Sequence, residues 1–126
     1  MIVGLGVDLV EISRVRAIYQ RHPARFLARI LTERERKYVM RYKDPGERLA
    51  GRWAAKEAAF KALGTGLGAG MSWRDVEIVN GPAGRPELRF HGAALEQARA
   101  LGANVFHVSV THSHDSAMAQ VILERR

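Results

Sequence analysis

The segment WAAKEAAFKALGTG, residues 53–66, places a carboxylate and an ammonium group close together and follows them with a glycine loop. Glu57 and Lys61 are four residues apart, so on a helix both side chains lie on one face. Such a pair is either an ordinary surface salt bridge or a place where a metal and a phosphate bind side by side. Gly64 suits the left-handed residue that ends a helix, and Gly66 lets a ligand approach the backbone closely.

A second carboxylate, Asp8, interrupts the apolar stretch of residues 2–12, which we interpret as a mostly buried strand. A carboxylate inside a buried strand is costly unless it is paired or bound to a cation. The alternative is that Asp8 lies at the end of the strand and caps the next helix. Together with Glu57, Asp8 is a candidate ligand pair for Mg²⁺, which takes few protein carboxylates and fills its other positions with water and phosphate oxygens.

Other arrangements of polar residues are weaker candidates. His112, His114 and Asp115 have the residue types of a zinc site, but no further ligand set is evident. Ser109, His112 and Asp8 have the residue types of a hydrolase triad, but the GxSxG nucleophile elbow is missing. The glycine run GTGLGAG lacks the closing GK[ST] of a Walker loop.

Lys56 falls inside the apolar stripe of the long helix, which consists of Leu49, Trp53, Phe60 and Leu63. A lysine in such a stripe either extends its ammonium group to water or, next to a carboxylate and a glycine loop, contributes to an anion site. The small residues Ala50, Ala54 and Ala58 would let another element approach this helix closely.

The rest of the chain supplies the elements that must position these residues. Thr32 and Glu35 form a capping box that starts a helix, Ser13 is the expected N-cap of an earlier helix, and Pro45 suits the first turn of the long helix. The complete predicted order is a strand at 2–12, short helices from Ser13 to Tyr42, the long helix to Leu63, a loop at 66–70, a hairpin at 73–90, a helix at 92–101, and strands at 105–110 and 117–123. This order predicts an α+β fold, with a small antiparallel sheet packed against the helices, in a single domain of residues 1–126.

The net charge of +7 is concentrated in one part of the chain, because residues 14–61 hold fourteen Lys or Arg and five Asp or Glu. A basic half predicts an acidic partner: a nucleic acid, a membrane surface, an acidic protein or a phosphorylated small molecule. The absence of cysteine is typical of the reducing cytoplasm. No apolar run reaches the roughly 18 residues that a membrane span needs.

Five segments in order, GVDLVEISR, ILTERE, AGRWAAKEAAFKALGTG, GRP and HVSVTHS, resemble the holo-acyl-carrier-protein synthases, the short bacterial phosphopantetheinyl transferases. The resemblance implies the 4′-phosphopantetheinyl transferase fold. It also implies transfer of 4′-phosphopantetheine from coenzyme A to a serine of apo acyl carrier protein, which releases adenosine 3′,5′-bisphosphate and activates fatty acid biosynthesis. The implied cofactor is Mg²⁺, with Mn²⁺ as the alternative, and the implied assembly is a homotrimer with active sites between subunits.

The resemblance also implies roles for single residues. Asp8 and Glu57 would ligate the metal, Glu57 would accept the serine proton directly or through a metal-bound water, and Lys61 would assist phosphate transfer. The residues implied to contact coenzyme A are Arg52, Lys56, Gly64, Gly66, Arg85, Pro86, Thr111 and His112. The basic residues implied to bind the carrier protein are Arg14, Arg21 and Arg25. Thr111 stands where many members have serine, so a hydroxyl is kept.

The competing class is a small basic module that binds nucleic acid. It accounts for the charge, but it leaves Asp8, Glu57 and the glycine loop unexplained. The chain shows no recognised DNA- or RNA-binding motif, and its aromatic residues fall mostly at core positions. We therefore expect a carrier protein, and not a nucleic acid, as the macromolecular partner.

Overall fold

The computed structural model of the chain describes residues 1–68 and 70–126; Ala69, in the loop predicted at 66–70, lies outside the described residues. The elements are β1 (Ile2–Glu11), α1 (Ile12–Arg21), α2 (Pro23–Ile30), α3 (Glu33–Val39), α4 (Gly46–Leu63), a 3₁₀ turn (Trp73–Asp75), β2 (Val76–Asn80), β3 (Pro86–Phe90), α5 (Gly92–Ala100), β4 (Val105–His112) and β5 (Ser116–Glu124). The predicted α+β class and the predicted order of elements are confirmed.

The strands form two antiparallel sheets where the sequence predicted one. The first sheet has the order β1-β5-β4 and the second pairs β2 with β3. The helix α4 packs across β1 and β5 and also contacts β2, so it lies in the middle of the molecule. Among the helices of residues 1–68 and 70–126, none combines the length and the apolar composition that a membrane span requires.

The strand β1 is not the mostly buried strand that its apolar residues predicted. Leu5, Val7 and Leu9 are 60%, 50% and 67% exposed and form an apolar outer face of the first sheet. The alternate positions face α4, and two of them are Gly4 and Gly6. Because alternate residues of a strand point to opposite faces, the bulky apolar side chains point outward and the glycines let the helix approach.

Two helix ends follow the predictions. Gly64 ends α4 in the left-handed region, with φ of 82°. The capping box at the start of α3 is present: the Glu35 amide donates to Thr32 Oγ1 at 3.3 Å, and the Thr32 amide donates to Glu35 Oε1 at 3.0 Å. These local signals are readable because both partners of each contact lie within a few residues of one another.

The start of α1 differs from its prediction. Glu11 and not Ser13 precedes the first helical turn, and β1 runs into α1 without a loop. The amide of Ile12 donates to the carbonyl oxygen of Asp115 at 2.9 Å, so the acceptor comes from the distant β4–β5 turn and not from a residue beside the helix start. Asp8 lies inside β1, three residues from its end, and does not cap the helix.

Candidate functional site

The face of β1 that meets α4 carries glycine at two successive positions, Gly4 and Gly6, and this brings the two backbones together. A Cβ atom on Gly6 would overlap the carbonyl oxygen of Ala58, and one on Gly4 would overlap that of Ala62. The alanines predicted to permit close approach include Ala58, and this contact confirms that prediction. Asp8 follows Gly6 by two residues and therefore points to the same side of the strand, towards α4.

Lys61 of α4 binds Asp8 of β1 and does not pair with Glu57. Its Nζ donates to Asp8 Oδ1 at 3.1 Å and to the carbonyl oxygen of Val7 at 3.0 Å. The side chain of Lys61 is 53% exposed, whereas that of Asp8 is 15% exposed. The surface salt bridge that helical spacing permits between Glu57 and Lys61 is thus replaced by a contact between two elements.

Glu57 lies beside this pair and is partly buried. Burial raises the pKa of Glu57, the negative charge of Asp8 raises it further, and the positive charge of Lys61 acts in the opposite direction. Two neighbouring carboxylates thus lie near one ammonium group, which binds only Asp8. This excess of negative charge is the electrostatic condition for binding a cation.

The donor set fits magnesium better than zinc. Among residues 1–68 and 70–126, no group of three or more His, Cys, Asp or Glu is placed to hold a metal. Two carboxylates and the Val7 carbonyl are hard oxygen donors, and Mg²⁺ completes such a set with water and phosphate oxygens. The zinc alternative is not supported, because His112 binds Glu47 at 3.0 Å and the side chain of His114 is fully exposed.

Three of the eight predicted contacts of coenzyme A, Arg52, Pro86 and His112, line a separate cavity of about 270 Å³ between α4, the β2–β3 hairpin and β4. Its lining includes Tyr38, Glu47, Arg52, Pro86 and His112. Within the described part of the chain, Asp8, Glu57 and Lys61 do not line this cavity. The predicted site residues of one chain therefore fall into two separate groups: Asp8, Glu57 and Lys61 form one, and the residues around the cavity form the other.

Four other predicted contacts, Thr111, Arg85, Gly64 and Gly66, do not line this cavity. Thr111 is exposed on β4 next to His112. Arg85 lines a different cavity, between the hairpin and β4. Gly64 and Gly66 both have positive φ, 82° and 63°, and open space where a side chain would be.

The structure corrects the interpretation of Lys56 that was made from the sequence. Its side chain is completely buried, and its Nζ donates to Glu35 Oε1 at 2.7 Å, to the Trp73 carbonyl oxygen at 3.0 Å and to the Val76 carbonyl oxygen. An ammonium group has three donors, and all three are used. Lys56 therefore neither extends to water nor has a donor left for a coenzyme A phosphate, and both sequence interpretations of it are wrong.

Arg52 is buried but keeps one side towards the cavity. Its Nη2 donates to Asn80 Oδ1 at 2.6 Å and to the Ile78 carbonyl oxygen at 3.2 Å, and its guanidinium lies over the Tyr38 ring. Burial lowers the pKa of Arg52, and the charge of Glu35 opposes this effect. Its buried Nε has no hydrogen-bond partner, although Glu35 Oε2 is 3.9 Å away.

A family model described as the 4′-phosphopantetheinyl transferase superfamily matches residues 4–119. The chain belongs to this family. A holo-[acyl-carrier-protein] synthase of Solidesulfovibrio magneticus is 52% identical over 124 residues, which cover 98% of this chain and 99% of the relative. The family and the enzyme class predicted from the sequence are confirmed.

Solved structures of holo-[acyl-carrier-protein] synthases have the same fold. The structure from Neisseria meningitidis superposes with a TM-score of 0.88 at 34% identity, covering 99% of this chain and 100% of that one. The structure from Bacillus anthracis, in complex with CoA (3′,5′-ADP), superposes with a TM-score of 0.83 at 38% identity, covering 100% and 99%. The phosphopantetheinyl transferase fold predicted for this chain is thereby confirmed.

The basic residues predicted to bind a partner lie on the surface of this transferase. Arg14, Arg21 and Arg25 are exposed, and none of them is in an ion pair with another described residue. Beside them is an apolar cavity of about 310 Å³ whose lining includes Phe26 and Trp53. This surface combines unpaired positive charge with an apolar recess.

Sequence reasoning missed the partners that hold these residues in place. Glu35 was recognised only as part of a capping box, but it also accepts from Lys56 and from the Ile78 amide at 3.0 Å. Glu47 was not singled out, although it binds His112. The one signal in the sequence for a distant carboxylate was Lys56, a lysine in an apolar stripe with no acidic residue on the same face of its helix.

Proposed function

We propose that residues 1–126 act as one transferase domain that moves 4′-phosphopantetheine from coenzyme A to a serine of apo acyl carrier protein. The arrangement of Asp8, Glu57 and Lys61 where β1 meets α4 is the observation that carries this proposal. Coenzyme A as the donor is supported by the relative from Bacillus anthracis, which binds it. The carrier protein as the acceptor is supported by the names of the full-length relatives.

In the reaction, the serine oxygen bonds to the phosphorus that carries the pantetheine, and the bond from that phosphorus to the bridging oxygen breaks. Adenosine 3′,5′-bisphosphate leaves with the electron pair of that bond. Glu57 accepts the serine proton, either directly or through a water held by the metal. Lys61, which is half exposed, places a positive charge where the diphosphate charge builds up.

We propose that Asp8 and Glu57 hold Mg²⁺, or Mn²⁺ in its place. The excess of carboxylate charge and the hard oxygen donors described above fit this ion. A bound divalent ion would polarise the phosphoryl oxygens and neutralise charge on the diphosphate.

We propose a homotrimer whose active sites lie between subunits. The two groups of predicted site residues lie apart in one chain, so a neighbouring chain would complete each site. Leu5, Val7, Leu9 and Met118 form an exposed apolar face on the first sheet, and contiguous apolar surface of this kind marks an interaction site. We expect Leu9→Asp to dissociate the trimer in analytical ultracentrifugation, whereas Leu67→Asp, at an exposed leucine outside that face, keeps it.

The proposed carrier-binding surface consists of Arg14, Arg21, Arg25 and the adjoining apolar cavity. Carrier proteins are acidic, so opposite charge would steer them to this surface and make the association sensitive to salt. A role in fatty acid biosynthesis and a cytoplasmic location remain predictions.

The transfer is tested by mixing the protein with coenzyme A, Mg²⁺ and apo carrier protein and measuring the carrier by intact-mass spectrometry. We expect the mass of one phosphopantetheine to be added, and no addition with Glu57→Gln, which keeps the size of the side chain. A carrier whose mass does not change with the wild-type protein would contradict the proposed function.

A further inference from the structure

Two of the oxygens that are candidate ligands for a cation are already occupied by Lys61. Its Nζ lies 3.1 Å from Asp8 Oδ1 and 3.0 Å from the Val7 carbonyl oxygen. Both are hard oxygens of the kind that Mg²⁺ prefers. The ammonium group and a divalent cation would therefore compete for the same carboxylate.

The two sides of this ion pair differ in freedom to move. Asp8 is held on β1 against α4 and its side chain is 15% exposed, whereas that of Lys61 is 53% exposed. A lysine ammonium group lies at the end of a flexible four-carbon stem, so Lys61 can leave while Asp8 stays. Glu57 adds a second negative charge nearby, and one ammonium group neutralises only half of the pair.

We propose that Lys61 and the divalent cation exchange at Asp8: the ammonium group holds the carboxylate until the cation takes its place, and it is then free to contact the diphosphate. This inference rests on the proposed function, because the cation and the diphosphate are those of the transfer reaction. The exchange makes Lys61 available to the substrate only after the metal has bound. It also means that Lys61 lowers the affinity of the protein for the metal that its reaction uses.

The first test measures Mn²⁺ affinity by electron paramagnetic resonance, with Mn²⁺ alone and without coenzyme A or carrier. Exposed ion pairs are weak, so removing the competitor in Lys61→Met is expected to tighten Mn²⁺ binding by about twofold to fivefold. Lys37→Met removes an exposed lysine of α3 and is expected to leave the affinity unchanged. Equal or weaker binding by Lys61→Met would overturn the exchange.

The second test follows the reactivity of the Lys61 amine itself. The chain has four lysines, at 37, 43, 56 and 61, and their acetylation rates can be followed by mass spectrometry with and without Mg²⁺. We expect Mg²⁺ to raise the rate at Lys61, because its amine loses the two acceptors that hold it. The exposed Lys37 and Lys43 should not change, and Lys56, completely buried, should stay protected in both conditions. An unchanged rate at Lys61 would overturn the exchange even if Lys61→Met binds Mn²⁺ more tightly.

These outcomes are distinguishable from a failure of the proposed function. Both tests use metal alone, whereas the transfer itself is read from the mass of the carrier. If the carrier is modified but the two lysine tests are negative, only the exchange is wrong. If neither the wild-type protein nor Lys61→Met binds Mn²⁺, the exchange and the proposed metal site are both wrong, and the transfer assay still decides the function.

Discussion

Replacing Lys56 with methionine is expected to destabilise the fold without weakening coenzyme A binding by the molecules that remain folded. The substitution keeps most of the volume and removes the three donors of the ammonium group. Glu35 then loses its closest positive partner, at 2.7 Å, and the carbonyl oxygens of Trp73 and Val76 lose a donor. Both side chains of the ion pair are completely buried, so water cannot replace what is lost.

Lys56→Met is expected to lower the free energy of unfolding by about 3–5 kcal/mol, the range for removing one partner of a buried ion pair. Arg52 does not compensate, because its Nε is 3.9 Å from Glu35 Oε2 and forms no hydrogen bond. A domain of this size has a free energy of unfolding of about 5–15 kcal/mol. The substitution therefore removes a large part of the stability of the fold.

A double-mutant cycle shows whether the loss of stability comes from the interaction between Lys56 and Glu35. We expect Lys56→Met combined with Glu35→Gln to cost less than the sum of the two single changes, by about 1–3 kcal/mol, because the double variant has no uncompensated buried charge. Lys37→Met, the same change at an exposed position of α3, is expected to alter the free energy of unfolding by less than about 0.5 kcal/mol.

The assay is urea unfolding followed by far-ultraviolet circular dichroism, at one fixed protein concentration because assembly would add to the apparent stability. Coenzyme A affinity is measured in parallel by calorimetry under conditions where each variant is folded. The reasoning would be refuted if Lys56→Met lost less than about 1 kcal/mol of its free energy of unfolding and bound coenzyme A more weakly than the wild type. That result would restore the role that the family resemblance implied for Lys56, as a contact of coenzyme A phosphates.

Three further changes test other parts of the structure. Gly6→Ala is expected to lower the free energy of unfolding in urea by about 1–3 kcal/mol and to reduce transfer, because the added Cβ would overlap the α4 backbone. Gly68→Ala should change neither, because the atom nearest to its added Cβ is 3.9 Å away. Burial raises the pKa of Glu77, but its hydrogen bonds with Thr32 and His91, together with the positive charge of Arg34, lower its pKa overall. The stability that Glu77 contributes is therefore present above its pKa in the unfolded chain and is lost as the pH falls through its pKa in the folded chain. Glu77→Gln should therefore be less stable than the wild type at neutral pH and equally stable in acid, as unfolding at several pH values would show. Arg21→Glu is expected to raise the KM for carrier protein by about tenfold and to leave the kcat nearly unchanged, whereas Arg99→Glu, an exposed change on α5, should leave steady-state kinetics unaltered.

The local part of the fold could be predicted because its signals are local. The capping box of Thr32 and Glu35 and the terminal Gly64 each act over one helical turn, and the structure shows both. The orientation of β1 could not be predicted in the same way. Its apolar residues predicted burial, and only the packing of α4 on Gly4 and Gly6 decides which face turns inward.

The site was predictable as a set of residue types and not as a set of contacts. Helical spacing places Glu57 and Lys61 on one face, but the spacing does not tell which acid Lys61 binds. Asp8 is 53 residues away in the sequence, and the partners of Lys56 lie 17 to 21 residues away. Contacts of this range depend on how the elements pack, which no pattern within one helix contains.

The adjacent residues Lys56 and Glu57 serve the site in different ways because successive residues of a helix point about 100° apart. Lys56 points to α3, the 3₁₀ turn and β2, where three acceptors fix the rotation of α4 about its axis. That rotation directs Glu57 and Lys61 towards β1, and Gly6 sets how closely the strand approaches. A variant that loosens the Lys56 contacts should thus lower the stability of this arrangement, while the molecules that remain folded keep the positions of Asp8 and Lys61. We therefore expect the buried pair to determine the geometry of the proposed metal site, although neither of its residues would bind the metal.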